Sequence, residues 1–326
     1  GGTREQQFLL RLLPQRSTLR EIREAGWIVL ADHADGFDAD GRKLAFAMLE
    51  ASEKRARTPL ARGLVSVARG RLLAADLRYG ERDFAQQRKV VAALRQGAMA
   101  GNAIERAWGA LALGLACRDV EPKSRAVTEF VTDAQTLIAR TLSAGRGDDE
   151  VNAAFAVAAG IADARQAKRP LGMILADRNR QPDLRGHAAI SLALLGATGG
   201  DARKALLGAL WDRRTPDLSS QAALALSVLG EKGEAVQLVR EFRAAKTERR
   251  LAQLAHSLGQ FGDLGAVDAL LASAEDRKRP TLGRALAITA LGLLLDPAGK
   301  PSLSLLSDGA CYTQLTNALH EALTIL

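Results

Sequence analysis

The sequence predicts an all-α fold: a right-handed superhelical solenoid of stacked antiparallel helix pairs. Two observations carry that prediction. Six small-residue-rich apolar stretches each run into a glycine: ERAWGALALG (105–114), VNAAFAVAAG (151–160), RGHAAISLALLG (185–196), SSQAALALSVLG (219–230), RRLAQLAHSLG (249–259) and GRALAITALG (283–292). The closing glycines Gly114, Gly160, Gly196, Gly230, Gly259 and Gly292 stand 29 to 46 residues apart. Self-similarity at such a period marks a stacked repeat, in which each unit buries its apolar face against its neighbours. Composition agrees with this. Of 326 residues 47% are apolar but only 4% aromatic, and alanine, leucine and arginine are abundant. That mixture favours helices, and its small side chains let them approach closely.

Taken in order, residues 1–59 read as a degenerate N-terminal helical cap and 60–149 as divergent helical repeats. Residues 150–311 carry the regular repeats, and YTQLTNALHEALTIL (312–326) reads as an amphipathic C-terminal capping helix. Together they are expected to form one continuous solenoid of about seven to eight units. The clearest unit runs from Leu184 to Arg214. Its first helix is expected over 184–195, capped by Asp183 and stopped by Gly196. After the turn ATGGD comes a second helix over 202–214. Its Ala202, Ala205, Leu206, Ala209 and Leu210 keep the spacing of one buried face. The next unit repeats the plan with Pro216-Asp217, Gly230 and the stripe Ala235, Leu238, Val239 and Phe242. The third has Gly259, Asp263 and a helix around Ala266, Ala269 and Leu270. The fourth has Pro280-Thr281, Gly292 and a shorter element near Leu303–Leu306.

These units resemble HEAT repeats of the lyase-like subclass found in phycobilisome maturation. The resemblance rests on the alanine-rich first helix, the Leu-Gly stop, the Gly-Asp turns (Gly200-Asp201, Gly262-Asp263) and the leucine-rich second helix. It is strongest over 150–295, looser over 60–149, and fades in 1–59. It implies a helical solenoid that binds a partner, and names no partner. Similar endings in bacterial HEAT-repeat proteins make Leu326 a candidate native C-terminus.

Tests for chemistry return little. In ADHADGFDADG (31–41) the acids Asp32, Asp35, Asp38 and Asp40 around His33 invite a calcium loop. With Gly41 at loop position 6, the anchoring first and twelfth positions fall on Gly36 and Ala47, which supply no ligand. The loop is therefore expected to be a solvated turn. His187, His256 and His320 fall at different phases of the repeat. The several His-Glu pairs by which some HEAT enzymes hold iron shrink here to His320-Glu321. Cys117, in GLACRD, has no histidine nearby in sequence and reads as a core thiol. Cys117 and Cys311 lie about five repeats apart, at ~10 Å per helix layer far beyond disulfide reach, so both are expected to be reduced. Glycine loops that cradle phosphates or dinucleotides are absent. Trp27, Trp108 and Trp211 are spread over separate units, and no motif of HEAT-like DNA glycosylases can be placed on the chain. The sequence thus predicts no enzyme, no metal and no cofactor.

Charge is the one patterned feature of the surface. Net charge is +8, and basic residues recur at the end of each second helix and in the loop that follows. They read DRNRQPD (177–183), WDRRTPD (211–217), AAKTERR (244–250) and EDRKRPT (275–281). Equivalent loops of a solenoid stack along one edge. Arg178, Arg180, Arg213, Arg214, Lys246, Arg249, Arg250, Arg277, Lys278 and Arg279 are therefore expected to form a basic ladder. The turns inside each repeat carry Asp201, Glu231, Glu234, Asp263 and Asp296, with Lys232 the exception, and predict an acidic opposite edge. Cations at helix C-termini also offset the macrodipole by about 0.3–1 kcal/mol each, so dipole chemistry alone can produce such a ladder. As a binding surface, the ladder suits an acidic protein first and the backbone of double-stranded nucleic acid second. Sparse aromatics argue against base stacking.

The longest apolar runs are about ten residues, as in 286–295, well short of the ~18 of a membrane span. Gly1-Gly2-Thr3 carry no initiator methionine, so the native start is expected upstream. That leaves the compartment, and any preceding segment, open.

Overall fold

A computed structural model of the chain describes residues 4–295, apart from residues 14, 16–19, 80–83, 122–123, 146 and 232. Six expectations fall outside the described residues: Lys232, Asp296, the element near Leu303–Leu306, Cys311, His320-Glu321 and the helix over 312–326. Among the described residues the structure is all-helical, with no strand. The chain divides into two compact units at Ala167/Lys168, inside the stretch expected to be regular.

The first unit holds α1 (Arg4–Leu12), α2 (Arg20–Asp32), α3 (Ala39–Glu53), α4 (Pro59–Tyr79), α5 (Phe84–Met99), α6 (Ala103–Ala116), α7 (Arg125–Ala144) and α8 (Asp149–Ile161). Helices α4, α6 and α8 lie side by side, with α2 and α3 against α4, α5 against α6, and α7 against α8. The row helices are buried on all sides. Every residue from Ala107 to Ala116 and from Val151 to Ala159 is buried. Such a helix has no polar face to turn to water, which is why its sequence shows alanine and glycine rather than amphipathic spacing. The backbones are correspondingly close. A Cβ on Gly109 would lie 2.3 Å from the Gly97 backbone, and one on Gly63 would lie 2.4 Å from the Trp108 indole.

The second unit holds α9 (Lys168–Ala176), α10 (Pro182–Leu194), α11 (Gly200–Leu210), α12 (Pro216–Val228), α13 (Ala235–Ala244), α14 (Glu248–Phe261), α15 (Val267–Glu275) and α16 (Thr281–Leu295). Helices α10, α12, α14 and α16 form a row, buried through α10, α12 and α14 and half exposed at α16, and the shorter helices α9, α11, α13 and α15 cover it. The covering helices are amphipathic. Helix α13 buries Ala235, Leu238 and Phe242, and α11 buries Leu206, Ala209 and Leu210. Each unit is thus a stack of helix pairs, as the sequence predicts.

The phase of the pairs differs from expectation. The sequence joins α10 to α11 through the glycine turn, yet α11 packs closely on α12, as α9 does on α10, α13 on α14 and α15 on α16. The close hairpins are therefore the ones closed by the basic loops. Helix ends differ as well. Only Gly196 and Gly230 of the six expected stops adopt left-handed backbone, at φ 60° and 75°. Gly114, Gly160, Gly259 and Gly292 lie inside helices. Gly114 and Gly259 serve close packing: a Cβ would lie 2.8 Å from Ala158 Cα in the first case and 3.2 Å from the Ala290 carbonyl in the second. The stop of α14 is Gly262, at φ 72°. Asp183 is not a cap, because Gln181 takes that position and Pro182 begins the helix.

The acids of the 31–41 loop have local partners. Asp32 pairs with Arg71, and Asp35 pairs with Arg78 at 2.6 Å. Asp38 caps α3 by accepting the Gly41 N–H at 2.8 Å, and exposed Asp40 faces Lys43 at 3.7 Å.

Candidate protein-binding edge and groove

The loops 177–181, 211–215, 245–247 and 276–280 follow α9, α11, α13 and α15, and hydrogen bonds tie the second of them to α14 and the fourth to α13. Arg249 donates to the Arg214 carbonyl at 3.1 Å, Gln253 to the Asp212 carbonyl at 3.0 Å, and Arg279 to the Arg243 carbonyl at 3.2 Å. The Arg243 carbonyl lies in the last turn of α13, where acceptors have no partner within their own helix, and the other two lie in the loop after α11. Row helices satisfy others. Arg185 donates to Leu175 O at 3.0 Å, Ser219 to Leu210 O at 2.6 Å, and Arg284 to Ala274 O at 2.8 Å. The loops that carry the four basic clusters thus each close one of the packed helix hairpins of the second unit.

Three of them share a turn. Asp177, Asp212 and Asp276 each accept the backbone N–H two residues on, at 3.0, 2.9 and 2.9 Å. An aspartate so used turns the chain sharply and ends the helix before it. This stops α11 at Leu210, four residues short of the expected Arg214. The shared pattern Asp-Arg-x-Arg/Thr is visible in the sequence and is missed when only the cations are counted.

The ten cations divide by partner. Arg180 and Arg279 face their own cluster's aspartate at 3.6 and 3.8 Å. Arg279 also lies over the buried Phe242 ring, 5.3 Å from its centroid. Arg250 is largely buried and bonds to Glu241 at 3.2 Å and Gln253 at 2.9 Å, while exposed Arg213 shares Glu241 at 3.6 Å. Arg178, Arg214, Lys246, Arg249, Arg277 and Lys278 are exposed and have no carboxylate partner among the described residues. Behind the edge, burial pushes the Asp212 carboxyl up, but the Arg214 N–H, the Thr215 hydroxyl and the Arg185 guanidinium outweigh it. They hold Asp212 below its ordinary value, so the aspartate stays charged beneath the arginines.

The opposite edge is not uniformly acidic. Glu231 and Glu234 both face Arg203, at 3.0 and 3.8 Å, and Asp263 accepts the Gly265 N–H at 2.8 Å. Exposed Lys204 stands beside Asp201, and Lys168 donates to the Gly196 carbonyl at 3.3 Å. Lys168 and Lys204 also line a groove of about 960 Å³ between α9 and α11, floored by Gly172 and Gly208. It shares Arg178 and Gly208 with a smaller cavity that reaches Arg213 and Arg214. Sequence reasoning missed this groove, although the mid-helix glycines were there to see.

Among the described residues no cluster of three metal-ligating side chains forms, and no helix is long and apolar enough to cross a membrane. Cys117 caps α6 and is buried, and desolvation pushes its thiol up to about 12. A nucleophilic role needs the thiolate. The folded protein should therefore resist iodoacetamide at neutral pH and react at Cys117 once unfolded in urea, read by peptide mass spectrometry. Rapid alkylation of the folded chain would contradict the burial.

The described residues define an α-helical repeat protein, with exposed cations on the loops of its second unit and a groove between α9 and α11. No protein-family model matches the chain, and no curated protein matches it.

Proposed function

We propose that the protein is a non-catalytic interaction scaffold of the HEAT type, and that the basic edge of its second unit docks an acidic protein partner. The carrying observation is the set of exposed cations without carboxylate partners among the described residues, on or beside loops that aspartate turns and side-chain-to-carbonyl hydrogen bonds hold. Exposed charges on rigid loops steer and orient an oppositely charged partner more than they add raw affinity. Duplex DNA is the competing occupant.

The test replaces Arg214, Lys246, Arg277 and Lys278 by glutamate. None of these side chains has a partner in the fold among the described residues, so helicity should be unchanged. Affinity for polyglutamate at low salt is expected to fall by at least about tenfold. Retained affinity would reduce the ladder to dipole chemistry. Tight binding of random duplex DNA, with a log–log salt slope of about −0.9 per phosphate neutralised, would give the edge to nucleic acid instead.

A further inference from the structure

We infer that the groove between α9 and α11 receives an extended acidic segment of the partner protein, which then runs out onto the basic edge at Arg178. This inference rests on the acidic-partner reading of that edge and supplies a binding site where the edge supplies only a field.

Charge argues for the occupant. Arg169 and Lys204 stand on the two walls near the N-terminal ends of their helices, and Arg178 stands at the far end. None of the three has a carboxylate partner among the described residues. Asp201 is the one acid among the lining residues. Gly199 stands at the N-cap of α11 and supplies no side-chain cap, so the first N–H groups of that helix also favour a carboxylate at this end.

The floor argues for close approach. Gly172 and Gly208 lie within helices, where glycine is less favourable than alanine by about 1 kcal/mol. Nothing in the fold asks for them, since a Cβ at either position would meet no atom within 4 Å. Both glycines line the groove, and side chains there would extend into open space beside it. Met173 is 65% exposed at the rim, a flexible apolar contact of the kind that adapts to varied sequences.

Length argues for an extended segment. From Arg169 to Ala176 helix α9 rises about 10 Å at ~1.5 Å per residue, with Arg178 in the turn just beyond, a span that about three to four residues of extended chain cover at ~3.3 Å each. Carboxylates near the two ends of such a segment can reach both arginines. The shared cavity wall at Arg178 and Gly208 then leads the chain toward Arg213 and Arg214.

The test uses the full chain and a fluorescent peptide of alternating glutamate and glycine, with a lysine–glycine peptide as control and anisotropy as readout. The glutamate peptide should bind at low salt and the lysine peptide should not. The double variant Gly172→Leu/Gly208→Leu should bind at least about tenfold more weakly, with thermal stability unchanged or raised because leucine favours helices. A benzophenone-bearing glutamate peptide should crosslink to Met173 in the unaltered protein, a readout independent of how any variant folds. If the glycine-filled variant binds normally while the edge variant does not, the groove is overturned and the edge reading stands. Crosslinks that map away from α9 and α11 likewise overturn the groove and leave the edge. Failure of the glutamate peptide to bind, or equal binding of the lysine peptide, overturns both.

Discussion

Acidification from about pH 6.5 toward pH 4 is expected to remove about 3 kcal/mol of stability from the second unit through His187 alone. His187 sits in α10 at 1% exposure. Burial disfavours the imidazolium and pushes its pKa from the ordinary 6.5 down to about 3. In the unfolded chain the ring takes up a proton as pH falls below 6.5, while in the folded chain it stays neutral until about 3. The unfolded state therefore binds more protons throughout that window, and stability falls by about 1.4 kcal/mol for each pH unit lost. Asp212 adds nothing down to about pH 4. Its carboxyl is held below the ordinary value of 3.8, so its contribution is lost only at still lower pH. The repeat supplies its own control, because the positions equivalent to His187 are Gln221 in α12 and Gln253 in α14. Urea unfolding followed by circular dichroism at about pH 7 and pH 4 should show His187→Gln losing about 3 kcal/mol less than the unaltered protein. Parallel losses in both would assign the acid sensitivity to other groups.

Replacing Trp108 by alanine should destabilise the first unit by about 3–5 kcal/mol. The indole is 1% exposed in α6, within the helix row, and lies against Gly63 of α4. Removing it takes a large apolar surface out of the core and leaves a void that the row cannot close. Gly109, next in the chain, already holds the α6 backbone against that of α5. Gly63→Leu in the Trp108→Ala background should recover part of the loss, since the new side chain enters the vacated space. Denaturant midpoints of the single and double variants measure both effects. A loss under about 1 kcal/mol for the single variant would mean that the row relaxes around the gap.

The architecture was legible because repetition is a property of the whole chain and does not depend on any one residue. The apolar stripes of α11, α13 and α15 were legible for the same reason: one buried face leaves a period. Helix ends were less legible. A glycine near the end of an apolar run can stop a helix, as Gly196 does, or let a neighbouring helix approach, as Gly114 and Gly259 do. Spacing alone cannot separate these uses. Pairing phase was hidden because short loops occur at both ends of each helix. The basic edge was visible as recurring cations, but three of its arginines, Arg180, Arg250 and Arg279, are committed to the fold, which only contact geometry reveals. The groove was hidden because it is made of what is missing, namely side chains at Gly172 and Gly208.

The arginine-to-carbonyl bonds that tie loop 211–215 to α14 and loop 276–280 to α13 have a mechanical consequence. They behave as staples along one side of the second unit, while the other side carries the left-handed glycine turns at Gly196, Gly230 and Gly262. A stack stapled on one side bends like a bound book, with the pages fanning and the spine holding its pitch. Thermal flexing of the unit should therefore spread the glycine turns and leave the spacing of the basic rungs nearly constant. A ligand lying along the spine would meet the same charge interval however the unit flexes.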